Sequence, residues 1–242
     1  MKRKIITVDG LAGSGKTTLA RLLAEKLGWT HFNSGLLYRA VAFLVLNQKL
    51  DPKDPSAIVS AIKKASIEVL YDLKQGARLL VDGKDCSDLV RSPEVSEMTS
   101  ITAALELVRA ALLKAQREIF PAQNLVAEGR DMGTVIFPGS PLKFYIAADE
   151  NVRIQRRINQ LYGSVAGQSA NEANILKQKI KIEIQERDVR DSKRVAAPTK
   201  PAEGAVLIDN SSEPLTVVLQ KMYDTVLIRG LIIGGPSKSK DC

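Results

Sequence analysis

Residues 10–17 read Gly-Leu-Ala-Gly-Ser-Gly-Lys-Thr, which matches the spacing G-x-x-x-x-G-K-[ST]. An apolar run over residues 4–9 precedes this stretch, and residues 16–27 carry leucines at helical spacing. A glycine-rich turn between a strand and a helix directs several backbone amides at one point, where the helix dipole also favours negative charge. The sequence therefore predicts a phosphate-binding loop in an α/β fold.

The residue types of this loop assign its expected roles. Lys16 adds a positive charge against phosphate, and Thr17 offers a hydroxyl to Mg²⁺. The residues expected to bind the phosphates of ATP are Gly10, Leu11, Ala12, Gly13, Ser14, Gly15, Lys16, Thr17 and Thr18.

Composition excludes several classes of protein. The chain of 242 residues is 45% hydrophobic and 26% charged, and no apolar run approaches the roughly 18 residues of a membrane span. Asp9 interrupts the only apolar run near the basic N-terminus, so this segment reads as a first strand rather than a signal peptide. Cys86 and Cys242 lie far apart, which favours neither a disulfide framework nor a metal site. We expect a cytoplasmic protein with no membrane partner.

The excess of positive charge is concentrated in one segment. The net charge is +8, and residues 152–194 hold ten Lys and Arg against five Asp and Glu, a balance of +5. Tyr162 is the only aromatic residue of this segment, whereas nucleic-acid modules usually pair basic patches with exposed aromatics. A pocket for small anions is therefore favoured over a nucleic-acid groove. The chain also lacks the N-K-x-D guanine reader that a nucleotide switch would carry.

Periodicity predicts the secondary structure. Strands of a main sheet are expected over 4–9, 29–33, 124–128, 142–148 and 205–209. Helices are expected over 16–27, 35–46, 93–119, 149–161 and 170–191, with a shorter one after a break at 51–55. Gly28 should end the first helix, while Ser34 and Ser92 should cap two others. Residues 67–85 resemble a small antiparallel insert with a turn at Gln75 and Gly76.

Arg130 and Asp131 directly follow the predicted strand 124–128. Ligands of open α/β sheets bind outside the carboxyl ends of the strands, so these side chains should share the mouth of the site with Lys16. A surface turn that holds a salt bridge is the alternative.

Two helices present arginines on one face each. Arg187, Arg190, Asp191 and Arg194 follow i, i+3, i+4 and i+7 spacing, and Arg153, Arg156 and Arg157 repeat the pattern on the preceding helix. The linker 163–170 is rich in small and polar residues, and we expect it to move. The pattern indicates a closing lid of exposed arginines, of which Arg156 and Arg157 should face ATP. The alternative is a solvated face with a local Arg187–Asp191 pair.

A lid of this kind suits phosphoryl transfer. Donor and acceptor are both anions, and arginines offset their repulsion, stay charged and bind phosphate bidentately. Transfer then requires positioning and exclusion of water more than acid or base chemistry. His31, the only histidine, stands between Thr30 and Phe32 and is expected to be structural, so no serine-histidine-aspartate triad is available.

Six ordered segments resemble those of bacterial cytidylate kinases, which are nucleoside monophosphate kinases. They are VDGLAGSGKTTLA, NSGLLYRAVA, the insert at about 67–85, VRAALLKAQR, EGRDMGTVIFP and ERDVRDSKRVAAP, within residues 4–210. The resemblance implies a P-loop NTPase fold with a five-stranded parallel sheet flanked by helices, an antiparallel β-insert and a helical lid. It implies one kinase domain over 1–230, with a core at 1–65, 105–150 and 200–230, a monophosphate-binding insert at about 66–104 and a lid at about 151–195. Residues 231–242 would form a flexible tail.

The resemblance also implies a reaction and its residues. ATP with Mg²⁺ would phosphorylate CMP and dCMP; a P-loop kinase for UMP or another nucleoside monophosphate is the alternative. Ser34, Arg39 and Arg130 would hold the acceptor phosphate, with Arg187 added on lid closure. Ser100, Arg109, Asp131 and Arg194 would read cytosine, and Asp191 would contact the ribose. Catalytic roles would fall to Lys16, Arg130, Arg187 and Asp191.

Two points stay open within this resemblance. Asp131 would either contact the base or orient Mg²⁺ through water. Asn33 stands where the family often has aspartate, which leaves an acidic contribution at that position undecided. We further expect a monomer that binds no nucleic acid.

Overall fold

Five parallel strands form the central sheet. They are β1 (Ile5–Gly10), β2 (Thr30–Asn33), β6 (Leu125–Gly129), β7 (Leu142–Ala147) and β8 (Val206–Asp209). Their order across the sheet is β2-β6-β1-β7-β8. The computed structural model describes residues 3–72, 76–163, 170–194 and 196–232. Most of the predicted linker 163–170 and of the predicted tail 231–242 lies outside these ranges.

A second, antiparallel sheet confirms the predicted insert. It consists of β3 (Ile67–Asp72), β4 (Gly76–Val81) and β5 (Lys84–Asp85), in that order. A second turn, which was not predicted, lies at Asp82 and Gly83, which both adopt positive φ, at 51° and 76°. This pair turns the chain back, so that β5 pairs with β4.

Eight helices lie around the two sheets within the described ranges. They are α1 (Lys16–Leu27), α2 (Gly35–Asn47), α3 (Pro55–Lys64), α4 (Pro93–Thr102), α5 (Glu106–Glu118), α6 (Glu150–Tyr162), α7 (Ala170–Lys193) and α8 (Leu215–Ile228). A 3₁₀ turn at Leu89–Arg91 and a π-helical turn at Met132–Ile136 complete these elements. Our sequence analysis did not predict α8. None of the described helices combines the length and apolar character needed to cross a bilayer.

The expected continuous helix over 93–119 is wrong, because it divides into α4 and α5. The start of α4 follows the prediction: the Ser92 hydroxyl accepts the Val95 N–H at 3.2 Å, and Pro93 stands in the first turn. Near its end, the Thr99 and Thr102 hydroxyls return to carbonyls one turn earlier. Such bonds weaken a helix, and the backbone becomes extended at Leu105 before α5 begins.

Apolar side chains form three clusters. One lies between the sheet and α2 to α5, and a second lies between the sheet, α1 and α8. The third is a separate seam between α6 and α7, built from Ile154, Ile158, Ile180 and Ile184. The two arginine-bearing helices therefore pack on each other through their own small core.

The register of the central sheet determines where the site lies. β1 pairs with β6 at Asp9 and Gly129, and with β7 at Gly10 and Ile146. The loop after β1 and the Gly129–Asp131 turn after β6 therefore leave the sheet side by side, as predicted.

Candidate active site

The phosphate loop after β1 requires its glycines. A Cβ on Gly10 (φ 155°) would lie 2.3 Å from the Ile146 carbonyl oxygen, and one on Gly15 (φ 86°) would lie 2.4 Å from Nδ2 of Asn210. Side chains at these positions would combine a disfavoured backbone conformation with a steric clash. The loop therefore keeps its backbone close to β7 and to the residue after β8.

Lys16 begins α1 beside this loop and is buried. Its Nζ donates to the Leu11 carbonyl at 3.1 Å. Burial and, to a lesser extent, the charge of Arg130 lower the pKa of the Lys16 ammonium to about 7. An anion placed here would restore the charged form, which fits a lysine that binds phosphate.

Thr17 contacts a carboxylate that sequence analysis missed. Its Oγ1 donates to Oε2 of Glu128 at 2.8 Å, and Nε2 of His31 lies 3.4 Å from the other oxygen, Oε1. Burial alone would raise the pKa of Glu128, but His31, Lys16 and Thr17 together hold this pKa below its ordinary value. Glu128 is thus an ionised carboxylate beside the loop. His31 lies against this carboxylate, which fits the structural role expected for the histidine.

Helix α6 and the end of β8 support the loop from outside. Nδ2 of Asn210 donates to the Ser14 carbonyl at 2.8 Å, and Arg156 donates to the same oxygen at 3.3 Å. Arg153 donates to the Ala12 carbonyl at 3.2 Å and to Asp188 of α7 at 2.6 Å. The loop backbone is therefore braced by α6 directly and by α7 only through the Arg153–Asp188 pair.

A cavity of about 160 Å³ opens next to the loop. All nine residues predicted to bind the acceptor line it: Ser34, Arg39, Ser100, Arg109, Arg130, Asp131, Arg187, Asp191 and Arg194. A cleft of about 630 Å³ lies on the other side of the loop and is lined by Gly13, Gly15, Lys16, Thr17, Thr18, Arg156, Arg157, Gln160, Asn210 and Leu215. Lys16 and Thr17 line both spaces, so the two spaces meet at the phosphate loop.

Carboxylates and arginines pair with each other inside the cavity that opens next to the loop. Asp131 accepts a hydrogen bond from Arg109 and lies 4.0 Å from Arg194. Asp191 accepts from Nε of Arg130 at 2.8 Å. Burial would raise the pKa of Asp191, but the positive charges of Arg130 and Arg187 outweigh it and lower this pKa. Both carboxylates therefore organise the arginines around them.

Arg187 is the cavity arginine with the most strongly perturbed guanidinium. Burial and, to a lesser extent, the nearby charge of Arg130 lower its pKa to about 10. Its Nε is buried and makes no hydrogen bond among the described residues. An anionic ligand in the cavity would raise this pKa and could accept a hydrogen bond from Nε.

Two predicted phosphate contacts lie at the start of α2. Ser34 occupies the N-cap position of α2, as predicted, but its hydroxyl makes no capping bond and donates instead to the Glu128 carbonyl at 2.9 Å. This bond crosses from β2 to β6 and fixes the hydroxyl at the cavity wall. Arg39, one turn into α2, donates to the Val90 carbonyl and to the Ser96 hydroxyl.

The expectation of exposed lid arginines needs correction. Arg153 and Arg194 are only 6% and 9% exposed, because their guanidiniums lie against carboxylates and the loop rather than in solvent. The suggested local Arg187–Asp191 pair is replaced by the pairing of Asp191 with Arg130 of the core. Arg157 pairs with Glu183 of α7 at 2.9 Å.

Four further polar residues of the site were missed: Asp9, Glu128, Asp188 and Asn210. Asp9 accepts the Met132 and Gly133 N–H groups at 2.8 Å each and shapes the turn that carries Asp131. Burial raises the pKa of Asp9 to about 6. Asp9, Glu128 and Asn210 stand at the carboxyl ends of β1, β6 and β8, which is the signal that could have identified them.

A P-loop between two facing spaces, one of them lined with paired arginines, defines a P-loop phosphotransferase that acts on phosphate-bearing ligands. The sequence model of the cytidylate kinase family matches residues 6–227. The chain therefore belongs to the cytidylate kinase family.

Individual relatives agree with this assignment. A protein named cytidylate kinase from Thermotoga neapolitana is 40% identical over 91% of this chain and 96% of its own length. Those of Stutzerimonas stutzeri and Pseudomonas aeruginosa are 40% and 39% identical, over 94% and 89% of this chain and 96% and 92% of their own lengths.

Proposed function

We propose that this protein transfers the γ-phosphoryl group of ATP to CMP and dCMP, forming CDP and dCDP. The observation that carries the proposal is the meeting of the two spaces at Lys16 and Thr17. A nucleoside triphosphate with its phosphates on the loop would present the γ-phosphate to the arginine-lined cavity. Family membership supports ATP as donor.

The acceptor phosphate would lie near Ser34, Arg39 and Arg130, with Arg187 on the lid side. These arginines offset the repulsion between two anions, and their planar groups suit phosphate oxygens. Arg130 is at present bonded to Asp191, so acceptor binding would exchange a carboxylate partner for a phosphate. Asp191, released in this way, would be available to a ribose hydroxyl.

The base would lie at the other end of the cavity, beside Ser100, Arg109, Asp131 and Arg194. Cytosine carries an amino donor where uracil carries a carbonyl acceptor. Asp131 is anionic and can only accept hydrogen bonds, so it favours the amino group. Uracil would place an acceptor against this carboxylate and leave both unsatisfied.

Mg²⁺ fits the oxygen groups beside the loop. Among the described residues no three ligating side chains converge, but Mg²⁺ commonly takes one or two protein groups and completes its shell with water and phosphate. The Thr17 hydroxyl and the ionised Glu128 carboxylate, which touch at 2.8 Å, are hard oxygen donors of this kind. Thr17 would hold the ion, and Glu128 would hold its water. The ion would neutralise charge on the transferred phosphoryl group.

Further parts of the proposal concern the whole molecule. The core, the monophosphate-binding insert and the lid would keep the boundaries given above, with α6 and α7 closing over the donor. We propose a monomer that acts on small nucleotides in the cytoplasm and does not bind nucleic acid.

A substrate panel tests the proposal. Purified protein is assayed with ATP and Mg²⁺ against CMP, dCMP, UMP and AMP. We expect the highest kcat/KM with CMP, comparable use of dCMP and weaker use of UMP. Preference for AMP, or no transfer to any acceptor, would refute the proposal. Excess EDTA should abolish transfer, and added Mg²⁺ should restore it.

A further inference from the structure

Arg190 of the lid reaches across to the base end of the acceptor cavity. Its Nε donates to the Ser100 hydroxyl oxygen of α4 at 3.1 Å. Ser100 is 4% exposed, whereas the side chain of Arg190 is 35% exposed. A partly solvated lid arginine is thus bonded to a buried hydroxyl that lines the acceptor cavity.

Two serines of α4 share this arrangement. Ser96 and Ser100 lie one helical turn apart, and the Ser96 hydroxyl accepts from Arg39 at 3.1 Å. One serine therefore holds an arginine of the phosphate end, and the other holds an arginine of the lid. α4 connects the two ends of the acceptor site.

The two serine hydroxyls differ in which hydrogen-bonding groups their protein contacts leave for a ligand. Ser96 donates its hydrogen to the Ser92 carbonyl at 2.9 Å, whereas the Ser100 hydrogen has no acceptor among the described residues. A hydroxyl has one hydrogen and two lone pairs, and arginine can only donate. Arg190 thus occupies one lone pair of Ser100 and leaves its hydrogen and second lone pair for a ligand.

The same bond positions the lid helix. Arg190 lies one residue before Asp191 and one turn after Arg187, and both of these line the acceptor cavity. The other face of Arg190 borders a second cleft between α4 and the lid helices, of about 350 Å³. The bond therefore spans the boundary between α4 and α7, and the cleft borders this boundary on its outer side. Movement of the lid helices away from α4 would break the bond.

We propose that Arg190 is a positioning residue that couples closure of α7 to the base end of the acceptor site through Ser100. This inference rests on the proposed phosphorylation of CMP. A base that fits keeps Ser100 in the position that receives Arg190, and the bond then holds Arg187 and Asp191 over the acceptor. A base that displaces Ser100 weakens closure, so the base affects turnover as well as binding.

A double-mutant cycle tests the coupling, with Arg190→Ala, Ser100→Ala and the double variant. Lys193→Ala, an exposed change of the same charge on the same helix, is the matched control. We measure kcat and KM for CMP and UMP, the KM for ATP, and ATP hydrolysis without transfer. Melting temperatures verify that every variant is folded.

Arg190→Ala should lower kcat with CMP roughly tenfold, as expected for loss of a hydrogen bond from a charged group. The KM for ATP should stay within about twofold, the preference for CMP over UMP should fall, and the share of ATP lost to hydrolysis should rise. In the Ser100→Ala background the same change should alter kcat less than about twofold, and Lys193→Ala should match wild type.

Two results would overturn the inference while leaving the proposed function intact. They are an active wild type whose Arg190→Ala variant keeps full kcat, and a tenfold loss that persists unchanged in the Ser100→Ala background. A wild-type protein inactive on CMP would instead refute the proposed function itself.

Discussion

The donor and acceptor halves of the site are built in different ways. The proposed donor half centres on the consecutive residues 10–18, with Gly10 and Gly15 in conformations that exclude a Cβ, and adds Arg156 and Arg157 from α6. The proposed acceptor half is nine side chains from separate helices and turns, and Asp131 and Asp191 hold three of its arginines, Arg109, Arg130 and Arg194. A site made from contiguous backbone depends on local geometry, whereas a site made from side chains depends on the whole fold.

The two halves also differ in how their positively charged side chains are surrounded. Lys16 of the donor half is buried with its ammonium on a carbonyl, so its pKa falls to about 7. Three arginines of the acceptor half, Arg109, Arg130 and Arg194, instead lie beside carboxylates that offset their charge. The donor half thus depends on its ligand to charge its lysine, and the acceptor half depends on its ligand to exchange ion-pair partners.

The largest expected effect is in the donor half. Lys16→Ala should lower kcat by about a hundredfold to a thousandfold, because it removes a charge next to the transferred phosphoryl group. Steady-state kinetics with ATP and CMP measure the loss. Lys64→Ala, an exposed change on α3, is the control and should match wild type. Equal kinetics for both variants would contradict the role of Lys16.

Asp9 of β1 should give the free energy of unfolding a distinctive pH dependence. Its folded pKa of about 6 exceeds the ordinary 3.8, so the folded protein binds this proton more tightly than the unfolded chain. The stability that this adds is present below about pH 4 and is lost as the pH rises through 6. The free energy of unfolding of wild type relative to Asp9→Asn should therefore increase by about 2.5 kcal/mol from pH 7 to pH 4.

Urea denaturation at a series of pH values measures this difference. The control is Asp88→Asn, because the Asp88 side chain is 97% exposed. The free energy of unfolding of wild type relative to this variant should change little with pH. A difference for Asp9→Asn that is constant, or that shrinks at low pH, would show that the carboxyl is not perturbed in the expected direction.

The brace between the donor loop and the lid should contribute to stability. Arg153→Ala leaves Asp188 partly buried without its partner and should lower the free energy of unfolding by about 2 to 3 kcal/mol. Lys181→Ala breaks the exposed pair with Glu150 and should cost about 0.5 kcal/mol or less. Equal losses in chemical denaturation would mean that the buried pair adds no more than the exposed one.

The smallest effect concerns base selection in the acceptor half. Asp131→Asn supplies a donor as well as an acceptor, so it should lower the preference for CMP over UMP about tenfold. The ratio of the two kcat/KM values measures it. Glu97→Gln, an exposed carboxylate change on α4, is the control and should keep the wild-type ratio. An unchanged ratio in Asp131→Asn would assign base selection to other residues.

The contrast between the halves explains what the sequence could predict. The loop, the parallel sheet, the insert and most helix bounds follow from local spacing, periodicity and turn residues. The break between α4 and α5 depends on Thr99 and Thr102 returning hydrogen bonds to their own helix, which periodicity does not reveal. The burial of Arg153 and the pairing of Asp191 with Arg130 depend on contacts between distant segments. Spacing could place Arg153 and Asp191 each on one face of its own helix but could not identify their partners.

A crystal structure with CMP and a non-hydrolysable ATP analogue tests the account most directly. We predict that the CMP phosphate contacts Arg39 and Arg130, that its base lies against Asp131, and that the 2.8 Å bond between Arg130 and Asp191 is exchanged for ligand contacts. The analogue should occupy the loop with its terminal phosphate directed at CMP. A pyrimidine bound outside this cavity, or an Arg130–Asp191 bond unchanged beside bound CMP, would contradict the account.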